Sequence, residues 1–122
     1  MMEGRKLGSW GEEKAAAYLR RKGYRILEMN YSIRGGEIDI IARRGKYLVF
    51  AEVKLRKNAD FAQGREYVHA AKQQRIINTA MLYLARTESE LQPRFDVIEI
   101  YAPQGEQSRR ITIEHLENAF EA

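Results

Sequence analysis

The sequence has no cysteine, and only two prolines and two histidines in 122 residues. Without cysteine there is no disulfide scaffold, no thiol nucleophile and no thiolate-held zinc or iron–sulfur centre. His69 and His115 are too few for a multi-histidine metal site. No apolar run approaches the ~20 residues that span a bilayer. The N-terminal stretch MMEGRKLGSWGEEKAAAYL lacks the apolar core of a secretory signal. The expectation is a cytoplasmic protein with no membrane partner. The length suits a single domain over residues 1–122, and 44% hydrophobic content supports a modest core rather than a disordered tail.

Acidic charge is scarce in the first part of the chain. Up to Arg75 there are 17 basic and 9 acidic residues; from Ile76 onward there are 4 and 8, within totals of 21 and 17 and a net charge of +4. A basic portion on a small protein points to a polyanionic partner, nucleic acid being the commonest. On charge alone, a solvated surface explains the pattern equally well.

Period and punctuation give the elements. Ser9 with Glu12 three residues on reads as a capping box opening a helix from about Trp10 to Lys22, with Ala15, Ala16 and Leu19 as its apolar stripe and Gly23 as its stop. Tyr24 to Tyr31 reads as a strand. Glu37 to Ala42 and Tyr47 to Leu55 read as a hairpin around Arg43-Arg44-Gly45-Lys46, with Gly45 supplying a positive φ. Arg56 to Val68 reads as a charged loop. Ala70 to Arg86 carries Ile76, Ile77, Ala80, Met81 and Leu84 at the helical period. Arg94 to Tyr101 reads as a strand, Arg110 to Ile113 as a short one, and Glu114 to Phe120 as a closing helix. The order α-β-β-β-α-β predicts an α/β fold, a mixed central sheet flanked by helices.

The unusual feature is acid within strand-forming sequence. Period two puts Glu37 and Asp39 on one face of the first hairpin strand, and Glu52 and Lys54 on one face of the second. Adjacent strands lie ~4.8 Å apart, so Asp39 and Glu52 approach closely if they share a face. Two such carboxylates repel unless a cation neutralises them. Mg²⁺ takes oxygen ligands and commonly needs only one or two carboxylates. The Val53 carbonyl offers a third oxygen, and Lys54 a charge for a phosphate or an attacking water. The set suits metal-assisted phosphodiester hydrolysis. It also suits a solvated face with ordinary cross-strand ion pairs.

The wider pattern carries a resemblance. D-x(12)-E-x-K on a hairpin that follows an acid-bearing helix resembles the PD-(D/E)XK nuclease signature. Gly8, Gly11-Glu12, Ala16, Tyr18-Leu19, Gly23-Tyr24, Asn30, Gly36 to Ile41, Phe50 to Lys54 and Lys72-Gln73 together resemble the bacterial YraN family of small proteins, which are similar to archaeal Holliday-junction resolvases. The resemblance implies a restriction-endonuclease-like fold and a Mg²⁺- or Mn²⁺-dependent DNA endonuclease, possible as a homodimer because two opposed strands must be cut. It implies Asp39 and Glu52 as metal ligands, Lys54 as the motif lysine, and Glu12 as a helix acid completing the site. Glu12 remains equally a capping residue, and Gln73 equally a site residue or an exposed one. Ile38 stands where the motif name has proline, and no Q-x-x-x-Y pattern follows on the helix.

Arg20, Arg21, Lys22, Arg43, Arg44, Lys46, Arg56, Lys57, Arg65 and Lys72 are candidate phosphate contacts. His69 reads as surface or a further phosphate contact, Trp10 as core, and Asp96 as a strand residue with an ion-pair partner. The alternative function is a nucleic-acid-binding protein with this fold and no catalysis of its own.

Overall fold

A computed structural model describes residues 3–57 and 68–122. Helix α1 (Glu3–Arg21) leads into strands β1 (Arg25–Ile33), β2 (Gly36–Arg44) and β3 (Tyr47–Arg56). Helix α2 (Ala70–Thr87) crosses to β4 (Gln92–Tyr101), and a 3-10 turn at Gly105–Gln107 precedes β5 (Thr112–Phe120). The strands form one sheet in the order β1-β2-β3-β4-β5. Tight turns join β1 to β2 and β2 to β3, all antiparallel, and Gly45 takes φ +59° in the β2–β3 turn as expected. β3 and β4 are parallel, which no short turn can connect, so α2 serves as the crossover. The mixed sheet flanked by helices agrees with a restriction-endonuclease-like core.

Each helix covers one face. Ala15, Ala16 and Leu19 of α1 pack on Ile40, Ala42, Val49, Ala51, Ile98 and Ile100. Ile76, Ala80 and Tyr83 of α2 pack on Ile38, Ile41, Leu48, Phe50, Phe95 and Val97. The central strands are therefore buried on both sides and read as near-continuous apolar runs. Trp10 packs half-buried against the α1-side core, as expected.

Two expectations are corrected. Helix α1 begins at Glu3, not near Trp10, so Ser9 lies inside it and the Ser9–Glu12 capping box does not exist. The packing of Trp10 and of buried Gly11 against the sheet, the latter beside Leu55, outweighs the local boundary signal. The segment Glu114 to Phe120 is strand, continuous with Thr112, rather than helix. Its cause is Asp96, which is fully buried on β4. Asp96 Oδ2 accepts from His115 Nε2 at 2.7 Å, and Oδ1 accepts from the Asn118 backbone N–H at 3.0 Å. The β4–β5 register slips between Phe95 and Val97, and Asn118 turns to φ +53° to make its bond. Phe120 then stacks on Phe95, with centroids 5.2 Å apart.

Asp96 also takes both nitrogens of the Arg94 fork, at 3.0 and 2.8 Å, and Arg94 donates to the Tyr24 hydroxyl at 2.6 Å. Burial alone raises the Asp96 pKa, but hydrogen bonds from His115, Arg94 and the Asn118 N–H outweigh it and hold the carboxyl below its usual range. Removing the acid leaves the buried guanidinium with only the exposed Glu117 carboxylate, 3.8 Å away, as counter-ion. Asp96→Ala should therefore cost about 3–5 kcal/mol in urea unfolding at pH 7. Because the folded pKa is depressed, the contribution is complete above the ordinary carboxylate pKa and disappears as pH falls through the lower folded value. The variant's deficit should shrink correspondingly in acid, and a loss under about 1 kcal/mol at neutral pH would contradict this assignment.

Candidate active site

The β2–β3 ladder stops at Ile40–Ala51, yet both strands run on: β2 stays paired with β1 back to Gly36, and β3 stays paired with β4 as far as Arg56. Asp39 stands at this fork. Its Oδ2 accepts the Val53 backbone N–H at 2.8 Å, replacing a ladder partner with a carboxylate. The strand also changes its facing here. Ile38 and Ile41 belong to the α2-side core and Ile40 and Ala42 to the α1 side, so strict alternation fails between Ile38 and Ile40. Glu52 follows Phe50 by two residues and so faces α2, where its buried carboxylate is ion-paired with Lys72.

Helix α2 closes the fork because β2 opens with Gly36. A Cβ at this position would fall on the Thr79 hydroxyl and lie 3.3 Å from the Arg75 carbonyl. That close approach sets the N-terminal half of α2 over the gap between the strands. The resulting cleft of about 420 Å³ is lined by Gly36, Glu37, Asp39, Glu52, Lys72 and Arg75, among others. A larger hollow of about 750 Å³ near Lys46 and Tyr47 is lined by two acids, Glu117 and Glu121, both exposed.

Asp39 is electrostatically costly where it sits. Burial raises its pKa most, and the Glu52 carboxylate raises it further. The Val53 N–H and Lys72 work in the opposite sense, Glu12 adds to the repulsion, and the result is a value of about 7. The pair thus carries more negative charge than its surroundings compensate, as ligands for a hard cation do. Among the described residues no three acids or histidines converge closely enough to hold one ion together. Glu12 reaches Asp39 through its field but lines a separate hollow with Ser9, Met29 and Asn30.

The other expected residues are distributed as follows. Lys54 is half-buried on β3, in register with Glu99 of β4. Val53 meets Asp39 through its N–H. Gln73 does not line the cleft; its amide donates to the Val68 carbonyl at 2.7 Å and fixes the first turn of α2. Arg56 pairs with buried Glu99 at 3.3 Å. Lys57 is exposed at the end of β3, His69 is exposed just before α2, and Arg65 lies outside the described residues. Arg43, Arg44 and Lys46 do not surround the cleft. Arg43 and Arg44 sit at the opposite end of β2, about 13–17 Å from Asp39 at ~3.3 Å per residue, and Lys46 lies in the turn beyond them. Sequence reasoning missed the attachment of Lys72 to Glu52, and Arg75 in the cleft wall. The signal was available for Lys72, since it precedes buried Ile76 by four residues and so shares its face.

Two outcomes test this geometry. Without divalent cation, Asp39→Asn should stabilise the fold by about 1–3 kcal/mol at pH 8. The native acid binds a proton up to about pH 7 whereas the unfolded one releases it near 3.8, so wild-type stability falls as pH rises across that window. The asparagine is neutral throughout, and thermal melts of the two proteins should converge near pH 4. Separately, Gly36→Ala should cost about 1–3 kcal/mol by forcing α2 away from β2. A neutral effect in chemical denaturation would mean that α2 does not rest on Gly36.

Comparison with known proteins places the chain among small bacterial relatives. Residues 11–100 match the uncharacterised protein family UPF0102. The chain is 45% identical to a UPF0102 protein of Syntrophotalea carbinolica, over 94% of this chain and 91% of that one. It is 46% identical to one of Symbiobacterium thermophilum, over 97% and 98%. A Geobacter sulfurreducens member is 46% identical over 94% and 88%. With a family match across most of its length and relatives at this identity over nearly full length, the chain belongs to the UPF0102 family.

Proposed function

We propose that the protein is a divalent-cation-dependent DNA endonuclease of the PD-(D/E)XK type, acting on the phosphodiester backbone and selecting DNA by structure rather than by base sequence. The observation that carries this reading is the pairing of half-buried Asp39 with buried Glu52 at the strand fork, in a cleft walled by Lys72 and Arg75. Two carboxylates suffice for Mg²⁺ or Mn²⁺, which keep waters and phosphate oxygens as their remaining ligands. The charge imbalance that lifts Asp39 to a pKa of about 7 is what such a cation relieves. When bound, the cation supplies Lewis acidity at the phosphate and lowers the pKa of water.

The chain's own residues do the rest. Asp39 and Glu52 fix the position of the cation against a rigid sheet. Val53 N–H holds the Asp39 carboxylate in its rotamer. Lys54, two residues beyond Glu52 on the same strand face, presents an ammonium to the phosphate oxygens, where charge builds during displacement. Exposed Lys57 and cleft-lining Arg75 are placed for neighbouring phosphates.

The test is a cleavage assay on linear, nicked, flapped and four-way DNA with Mg²⁺ or Mn²⁺. Asp39→Asn and Glu52→Gln should each reduce cleavage by about 10²-fold or more, because an amide is a poor ligand for a hard cation. Lys54→Ala should also slow the reaction. DNA affinity should persist in all three, and should fall steeply with salt. Wild-type cleavage rates in Asp39→Asn would discard the mechanism. A wild type that binds DNA but is inert on every structure would favour the binding-only alternative.

A further inference from the structure

Lys72 reads from sequence as one more phosphate contact, but the structure attaches it to Glu52. Its ammonium is ion-paired with Glu52 Oε2; the lysine side chain is 38% exposed and the glutamate 8%. The pair is thus asymmetric, a desolvated acid held by a cation that stands half in solvent. The base of Lys72 is fixed twice over. Ile76, one helical turn on, is buried in the α2-side core, and Gln73 anchors the first turn to the Val68 carbonyl. Beyond that base lies a flexible four-carbon stem ending in a compact charge. Lys54 shares the strand face of Glu52 but forms no ion pair among the described residues.

We infer that Lys72 is a positioning residue of the acid pair: its ammonium acts as the built-in counter-ion of Glu52 and competes with a divalent cation for that carboxylate. Cation binding therefore releases Lys72 from Glu52 while leaving it within the cleft, beside Arg75, where it can meet a substrate phosphate. The two lysines differ in role. Lys54 faces the phosphate throughout, whereas Lys72 links loading of the cation to engagement of the substrate. This inference rests on the reading of Asp39 and Glu52 as cation ligands.

Mn²⁺ binding to the full-length chain, followed by the electron paramagnetic resonance of free Mn²⁺, separates the two. Lys72→Met and Lys72→Gln should each bind Mn²⁺ about tenfold more tightly than wild type, a difference of ~1.4 kcal/mol. Lys72→Arg, which keeps the charge, should stay near the wild-type affinity. Circular dichroism melts identify any variant that fails to fold, and using two neutral substitutions guards against losing one. At saturating Mn²⁺, both neutral variants should cleave DNA more slowly than wild type. Equal or weaker Mn²⁺ binding in the neutral variants, with binding abolished by Asp39→Asn, overturns this inference and leaves the cation site standing. Absence of Mn²⁺ binding in every protein, wild type included, overturns both.

Discussion

The hydrogen bond from the Val53 N–H to the Asp39 carboxylate is the constraint around which the site is arranged. It stands where the β2–β3 ladder ends, so one side chain both terminates the pairing and satisfies the donor left behind. The strands can then part without an orphaned N–H at Val53. Their separation creates the gap that becomes the cleft. The same bond draws a carboxylate into partial burial beside Glu52, which is why Asp39 holds its proton to about neutral pH. The fork thus arises from this interaction, and the charge imbalance from burial beside Glu52, which the Val53 N–H partly offsets.

The frame keeps that fork rigid from both faces. On one side, Gly36 lets α2 rest directly on β2, and the Thr79 hydroxyl donates back to the Arg75 carbonyl at 2.7 Å within the contact. On the other, Asp96 ties Arg94, Tyr24, His115 and the β5 backbone into one buried network. These devices lie in different parts of the sheet and answer different problems. Gly36 regulates distance, and Asp96 determines the path of the chain after β4. A buried network of this kind is stable only when every member is satisfied, and among the described residues no buried side-chain polar atom lacks a partner.

The legibility of the sequence follows from where each signal is local. β2, β3 and α2 were readable because their period or composition is set by the core they enter. Asp39 and Glu52 were recognisable because charge inside a buried strand is anomalous on its own terms. Ser9 misled because the packing of Trp10 and Gly11 overrides a cap signal. The strand at Glu114–Phe120 was illegible because its cause, Asp96, lies about twenty residues away in sequence and acts through a backbone N–H. Lys72 was named as a cation, but its partner is fixed only by the tertiary position of α2.

The remaining cations raise a separate physical question. Arg25 lies directly opposite Arg43 in the β1–β2 register, a like-charge pair that destabilises a hairpin. Arg44 sits over the Tyr24 ring at 5.3 Å, and Lys46 over the Tyr47 ring at 5.3 Å, which supports their stems without neutralising their charge. None of these four forms an ion pair among the described residues. Arg43 and Arg44 lie about 13–17 Å along β2 from Asp39, with Arg25 opposite Arg43 and Lys46 in the adjoining turn, so the group cannot share a phosphate with the acid pair. If the substrate is DNA, a backbone touching both places must extend past the scissile phosphate by several nucleotides. A short oligonucleotide filling only the cleft would leave that repulsion unrelieved, whereas a longer chain relieves it as it binds. If the substrate is DNA, its affinity should therefore depend on length separately from any dependence on the cation, because Arg43 and Asp39 stand well apart along β2.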